Sequence, residues 1–188
     1  MDKLNLGRFN IVGHSNGGRV VFYYAAEHPE HVTRAVIVDI DPDPANPETS
    51  RMFNTWYYKE PDEWDSLQVV VDRLRERAPN APEDVLRHQA IAMTKELPGG
   101  RRAWKRDRKL LFGFQRPDAW DKWRSIKPPV LLIRGGNSNL LSQPLADKML
   151  AARPGTRFTV VPGGSHWCYD ENLPAFVQTL KGFLKEAA

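Results

Sequence analysis

The run Phe9-Asn10-Ile11-Val12-Gly13-His14-Ser15-Asn16-Gly17-Gly18 decides how this chain is read. Its opening residues suit a strand. Glycines two before and two after Ser15 let that strand and a following helix approach closely enough to push the serine hydroxyl out of a sheet. The flanking sequence agrees: Val20, Val21, Tyr24 and Ala25 share a face at helical spacing, residues 27–29 end that run, and residues 34–39 resume as a buried strand. The order is strand, sharp turn, helix, strand, with the helix adding the positive end of its dipole beside the serine.

Beyond the second strand, Asp39, Ile40, Asp41, Pro42, Asp43, Pro44 and Pro47 form an exit in which neither helix nor strand continues. Residues 47–123 then read as helical and without a convincing strand. Pro61 opens a helix with Trp64, Leu67, Val70, Val71 and Leu74 on one face, and a second helix runs from Pro82 to Leu97, stopped by Pro98, Gly99 and Gly100. Aromatic residues concentrate there: Trp56, Tyr57, Tyr58, Trp104, Phe112, Phe114, Trp120 and Trp123 either line an apolar pocket or pack the segment onto the sheet. After Pro128 and Pro129, the run Val130-Leu131-Leu132-Ile133 is a strand buried on both faces. Ser142 caps a further helix, residues 157–161 supply another strand, and a last helix starts near Asn172. Strands alternating with helices imply an α/β fold with a parallel sheet and right-handed crossovers. The expected division is 1–46 as one core part, 47–123 as a helical insertion and 124–188 as the second core part.

With 188 residues, 41% of them hydrophobic, the chain suits one domain carrying a sizeable insertion. No apolar run has the length of a membrane span, residues 1–8 read as the tail of a helix rather than a signal peptide, and a cytoplasmic location is expected. The single cysteine, Cys168, excludes an internal disulfide framework and any multi-cysteine metal site. The net charge is +4. Only residues 101–109 form a dense basic run, which reads as a solvated loop, so no nucleic-acid partner is expected. His28, His31 and His88 lack metal-ligand spacing and read as surface or capping residues. No metal and no cofactor are implied.

Three segments carry a resemblance: LGRFNIVGHSNGG at the serine turn, PPVLLIRGGNSNLLS at residues 128–142, and VVPGGSHWCYDENLPAFVQTLKGFL at residues 160–184. They resemble the α/β-hydrolase superfamily, in which a serine, an acid and a histidine follow one another at the ends of successive strands. The resemblance implies a nucleophile elbow with Ser15 as nucleophile, His166 as general base and the Asn16 backbone amide as an oxyanion donor, while His14 is structural. It also implies that 47–123 is the helical cap.

Two departures accompany it. Hydrolases resembling RGGNSNLLS carry aspartate where this chain has Asn139, and a neutral amide neither stabilises an imidazolium by charge nor enforces its tautomer; in a serine protease that exchange lowers turnover about 10⁴-fold. Asp39 or Asp41, after the second strand, is the substitute acid, and of the two Asp41 is preferred; both also read plainly as strand-end residues capping the exit turn. In the family the elbow strand is the fifth of eight, so this sequence resembles the C-terminal part of a hydrolase, with the second oxyanion donor outside it. The resulting expectation is a serine hydrolase of impaired activity, acting on an ester, lactone or activated carbon–carbon bond of a small apolar substrate. The alternative is a non-catalytic piece or pseudo-enzyme that binds a ligand. An open sheet edge is expected beside the elbow strand, suited to self-association or a complementing chain.

Overall fold

The computed structural model describes residues 6–107, 109 and 115–185. The expected helical tail over residues 1–5, and Arg108, Phe112 and Phe114, lie outside the described residues. The main sheet has four parallel strands in the order β1 (Phe9–His14), β2 (Val32–Val38), β6 (Val130–Gly135) and β7 (Arg157–Val161). Helix α1 (Asn16–Glu27) joins β1 to β2, and α6 (Gln143–Ala152) joins β6 to β7.

The pleat sorts the buried runs between two cores. Ala35 and Ile37 of β2 and Leu132 of β6 face α1, α6 and α5 (Trp120–Ser125), whose Phe22, Met149 and Trp123 complete one cluster. Val36, Val38, Leu131 and Ile133 point the other way, onto Phe183 of α8 (Leu173–Leu184) and Cys168 of the short α7 (Cys168–Glu171). The central strands are therefore continuously apolar over residues 35–38 and 130–133, as segments covered on two faces must be. β1 differs. Among the described residues it pairs only with β2, and Val12 is 45% exposed.

Residues 47–123 leave the sheet as α2 (Pro47–Phe53), a π-helical turn (Asn54–Tyr58), α3 (Leu67–Arg77) and α4 (Glu83–Met93) before α5. Contrary to expectation the segment also holds strands: β3 (Glu63–Trp64), β4 (Thr94–Glu96) and β5 (Arg102–Trp104) form an antiparallel sheet in the order β3-β5-β4. The helix expected to reach Leu97 stops at Met93, because Thr94 turns extended and its hydroxyl donates to the Ala90 carbonyl at 2.5 Å. Part of the basic run is thereby ordered. Arg102 is buried and donates to Thr94 Oγ1 at 3.0 Å. The helix expected from Pro61 begins at Leu67, where Ser66 accepts the Val69 amide.

The aromatic residues divide between the two expected roles. Trp120 and Trp123 pack into the core against α1 and α6, Trp104 meets Trp64 edge to face, and Tyr57 faces the cavity described below.

Candidate active site

Ser15 sits between β1 and α1 with φ 54° and ψ −126°, a strained conformation for a residue with a side chain. Its amide donates to the Val38 carbonyl at 3.0 Å, while its own carbonyl accepts from Gly18 at 2.8 Å. The turn is held from both sides. A Cβ on Gly13 would lie 2.3 Å from the Gly17 carbonyl oxygen, and one on Gly18 would lie 2.5 Å from Ile40 Cγ2. Nothing stands near a Cβ on Gly17, so the second glycine the turn requires is Gly18, three residues after the serine.

The Ser15 hydroxyl donates to His166 Nε2 at 3.0 Å. His166 lies in the loop after β7, is buried, and donates from Nδ1 to Asp39 Oδ2 at 2.8 Å. Asp39 is the first residue after β2, fully buried, with φ 51°. Its carboxylate accepts two more bonds from the end of β6 and the loop beyond: the Gly135 amide reaches Oδ1 at 2.9 Å and the Ser138 hydroxyl reaches Oδ2 at 2.5 Å. Three strand ends thus converge on one carboxylate.

Of the expected residues the structure brings together Ser15, His166 and Asp39. Asn139 is exposed, and it is its neighbour Ser138 that bonds the Asp39 carboxylate. Asp41 is buried, but it is spent on the exit turn: its Oδ1 accepts from Arg116 at 3.0 Å and from the Asp43 amide at 2.8 Å, and its Oδ2 accepts from Asn46 at 2.8 Å. Asp41 therefore anchors residues 43–49 to the sheet and does not reach the imidazole. Asn16 opens α1, where a backbone amide has no partner within the helix, and the residue lines the cavity beside Ser15.

His14 packs against His166 with ring centroids 4.5 Å apart, and its Nε2 donates to the His166 carbonyl at 2.7 Å. The Tyr169 hydroxyl approaches its Nδ1 at 3.4 Å. Burial, reinforced by the neighbouring His166, pulls its pKa down to about 3. His14 is therefore neutral near pH 7 and adds no charge beside His166.

Ser15 and His166 open into a cavity of about 500 Å³ roofed by residues 52–107. Met52, Phe53, Met93 and Trp167 give it an apolar wall, while Arg77, His88, Gln89 and Arg106 give it polar points, so its lining is mixed. His28, Glu30 and His31 bring their ligand atoms within 4.8 Å of one another, spacing the sequence reading did not anticipate. They lie in the α1–β2 loop, at the end of the sheet opposite Ser15, and take no part in this site. The arrangement at Ser15 is chemically one that can activate a hydroxyl: an imidazole oriented by a carboxylate, beside the N-terminus of a helix.

A family model described as alpha/beta hydrolase fold matches residues 1–173. The chain is 26% identical over 180 residues to the 2-(acetamidomethylene)succinate hydrolase of Mesorhizobium japonicum, covering 95% of this chain and 64% of that protein. It is 23% identical over 199 residues to esterase YbfF of Escherichia coli, covering 99% of this chain and 71% of that protein. The crystal structure of E-2-(acetamidomethylene)succinate hydrolase superposes with a TM-score of 0.84 at 26% identity, over 98% of this chain and 69% of that one. The esterase Rv0045c of Mycobacterium tuberculosis gives 0.75 at 24% identity, over 93% and 62%. The chain spans less than two thirds of the length of the first curated relative named here.

Proposed function

This chain belongs to the alpha/beta hydrolase fold family, and from that premise we propose that it is a serine hydrolase in which Ser15 is the nucleophile, His166 the general base and Asp39 the acid. The observation that carries the reading is the unbroken bond chain from Ser15 through His166 to Asp39, at 3.0 and 2.8 Å. Relatives named as hydrolases and esterases support acyl transfer to water as the reaction. The bond cleaved is that of an ester, lactone or activated carbon–carbon linkage in a small substrate whose apolar body lies against Met52, Phe53 and Met93 beneath the cap formed by 47–123.

Ser15 Oγ attacks the carbonyl carbon as its proton passes to His166 Nε2, and Asp39 stabilises the imidazolium and fixes its tautomer. The Asn16 amide receives the developing oxyanion. His166 returns the proton to the leaving group, and water, activated by the same imidazole, releases the acyl group and restores Ser15. Its neighbour His14, being neutral, spares the imidazolium a like charge.

The test is labelling with a fluorophosphonate probe. Labelling is expected to vanish in Ser15→Ala and His166→Ala and to slow by about 10³- to 10⁴-fold in Asp39→Asn, with Asn139→Ala unchanged. Folded wild-type protein that takes no label refutes the reading. A second reading, binding of a complementing chain or a second copy, rests on the unpaired outer edge of β1 among the described residues.

A further inference from the structure

Arg77 differs from the neighbouring arginines of residues 47–123. Arg73 and Arg106 both reach Glu60, at 2.8 and 3.1 Å, and their charges are met. Arg77, the last residue of α3, lines the cavity that holds Ser15. Its guanidinium lies over the Trp167 ring at 4.5 Å, and its Nη2 donates one long bond, 3.4 Å, to Gln89 Oε1. Its Nε is buried without an acceptor. Among the described residues no carboxylate comes within ion-pair distance of it. Glu60 and Asp170 face it from farther off, as do Tyr57 and Tyr169, and Asp170 already accepts from Gln89 at 2.7 Å.

A guanidinium stays protonated at neutral pH, and a buried charge without a partner is costly to keep. Burial pulls the pKa of Arg77 below the ordinary arginine range. The under-used Nε and Nη2 form one edge of the planar fork, and two parallel N–H groups on that edge match the two oxygens of a carboxylate. Arg77 is also near enough to His14, the residue before Ser15, to act on it electrostatically. Arg77 lines the same cavity as Ser15.

We propose that Arg77 receives a carboxylate of the substrate, so that this hydrolase takes a short ester whose acyl part ends in a carboxylate in preference to its uncharged counterpart. The proposal refines the expected apolar substrate: the body lies on the apolar wall and the charged end on Arg77. Its chemistry rests on the serine-hydrolase reading; its anion rests on the surroundings of Arg77 alone.

The experiment has two arms. In the first, kcat/KM is measured for mono-p-nitrophenyl succinate and for p-nitrophenyl butyrate. Wild type is expected to prefer the succinate ester, the preference ratio falling roughly 10- to 100-fold in Arg77→Met and less in Arg77→Lys, which keeps charge without the fork. In the second, succinate is titrated calorimetrically into Ser15→Ala protein, with and without Arg77→Met. Binding is expected, and expected to be lost with Arg77. Arg77→Gln serves in both arms should the methionine variant fail to fold. Arg77-dependent succinate binding by a protein that hydrolyses neither ester sinks the catalytic reading and keeps the carboxylate site. Absence of both ester preference and succinate binding overturns the proposal.

Discussion

At the scale of single residues the chemistry turns on which groups are charged. With the His14 pKa drawn down to about 3, an unfolded chain takes up a proton on that imidazole below the ordinary value of 6.5 that the folded chain refuses. Stability therefore decreases as pH falls through 6.5 toward 3 and recovers as pH rises. Thermal melts between pH 7 and pH 4 are expected to show a falling Tm, and His14→Gln, which keeps a donor for the His166 carbonyl, is expected to flatten part of that slope. Unchanged slopes would mean that His14 titrates normally. The meeting of Ser15 and His166 was legible because turn glycines and a histidine beyond the last strand leave marks in sequence. Which carboxylate meets His166 was narrowed only to Asp39 or Asp41, with Asp41 preferred. Asp39 and Asp41 both follow the same buried strand, and only the backbone at Asp39, with φ 51°, turns one carboxylate toward the histidine. Arg116, which claims Asp41, lies 75 residues away along the chain. Arg77 was equally hidden, since a basic residue ending an amphipathic helix reads as solvated until its surroundings are known.

At the scale of elements, the turn between β1 and α1 sets tolerances that a variant series can read. Gly13→Ala and Gly18→Ala are each expected to cost about 1 to 3 kcal/mol by overpacking, the first against backbone and therefore the more severe. Gly17→Ala meets open space and is expected to be neutral or to stabilise by up to about 1 kcal/mol, as alanine does in a helix. Denaturant midpoints decide it; equal losses at all three would show that the close contacts do not govern the turn. The four main strands were readable because each carries a short apolar or β-branched stretch, Ile11–Val12, residues 35–38, Val130–Ile133 and residues 158–161. The strands β3, β4 and β5 were not, being two or three residues long and held by pairing across the segment rather than by any periodicity of their own. The helix start at Leu67 carried a mark that Pro61 obscured: Ser66, a good N-cap.

At the scale of the whole molecule, the sheet ends on one side at β1, whose outer N–H and C=O groups have no ladder among the described residues. If that edge is a docking surface, the sedimentation coefficient rises with protein concentration, and Val12→Lys, which sets a charge on the edge, reduces the rise. A concentration-independent monomer removes the second copy from that reading. The order of strands was legible from alternation alone, but which residues the far segment brings over Ser15 was not, because that depends on contacts between parts of the chain far apart in sequence. The hydrogen bond from the Ser15 amide to the Val38 carbonyl carries a last implication. It fastens the serine to the last residue of the strand that leads into Asp39, so two of the three bonded groups are held by one frame. The third, His166, rides on a loop from the far end of the sheet. A change that shifts that loop would part the imidazole from Ser15 and Asp39 while the bond between the β1–α1 turn and β2 stayed in place.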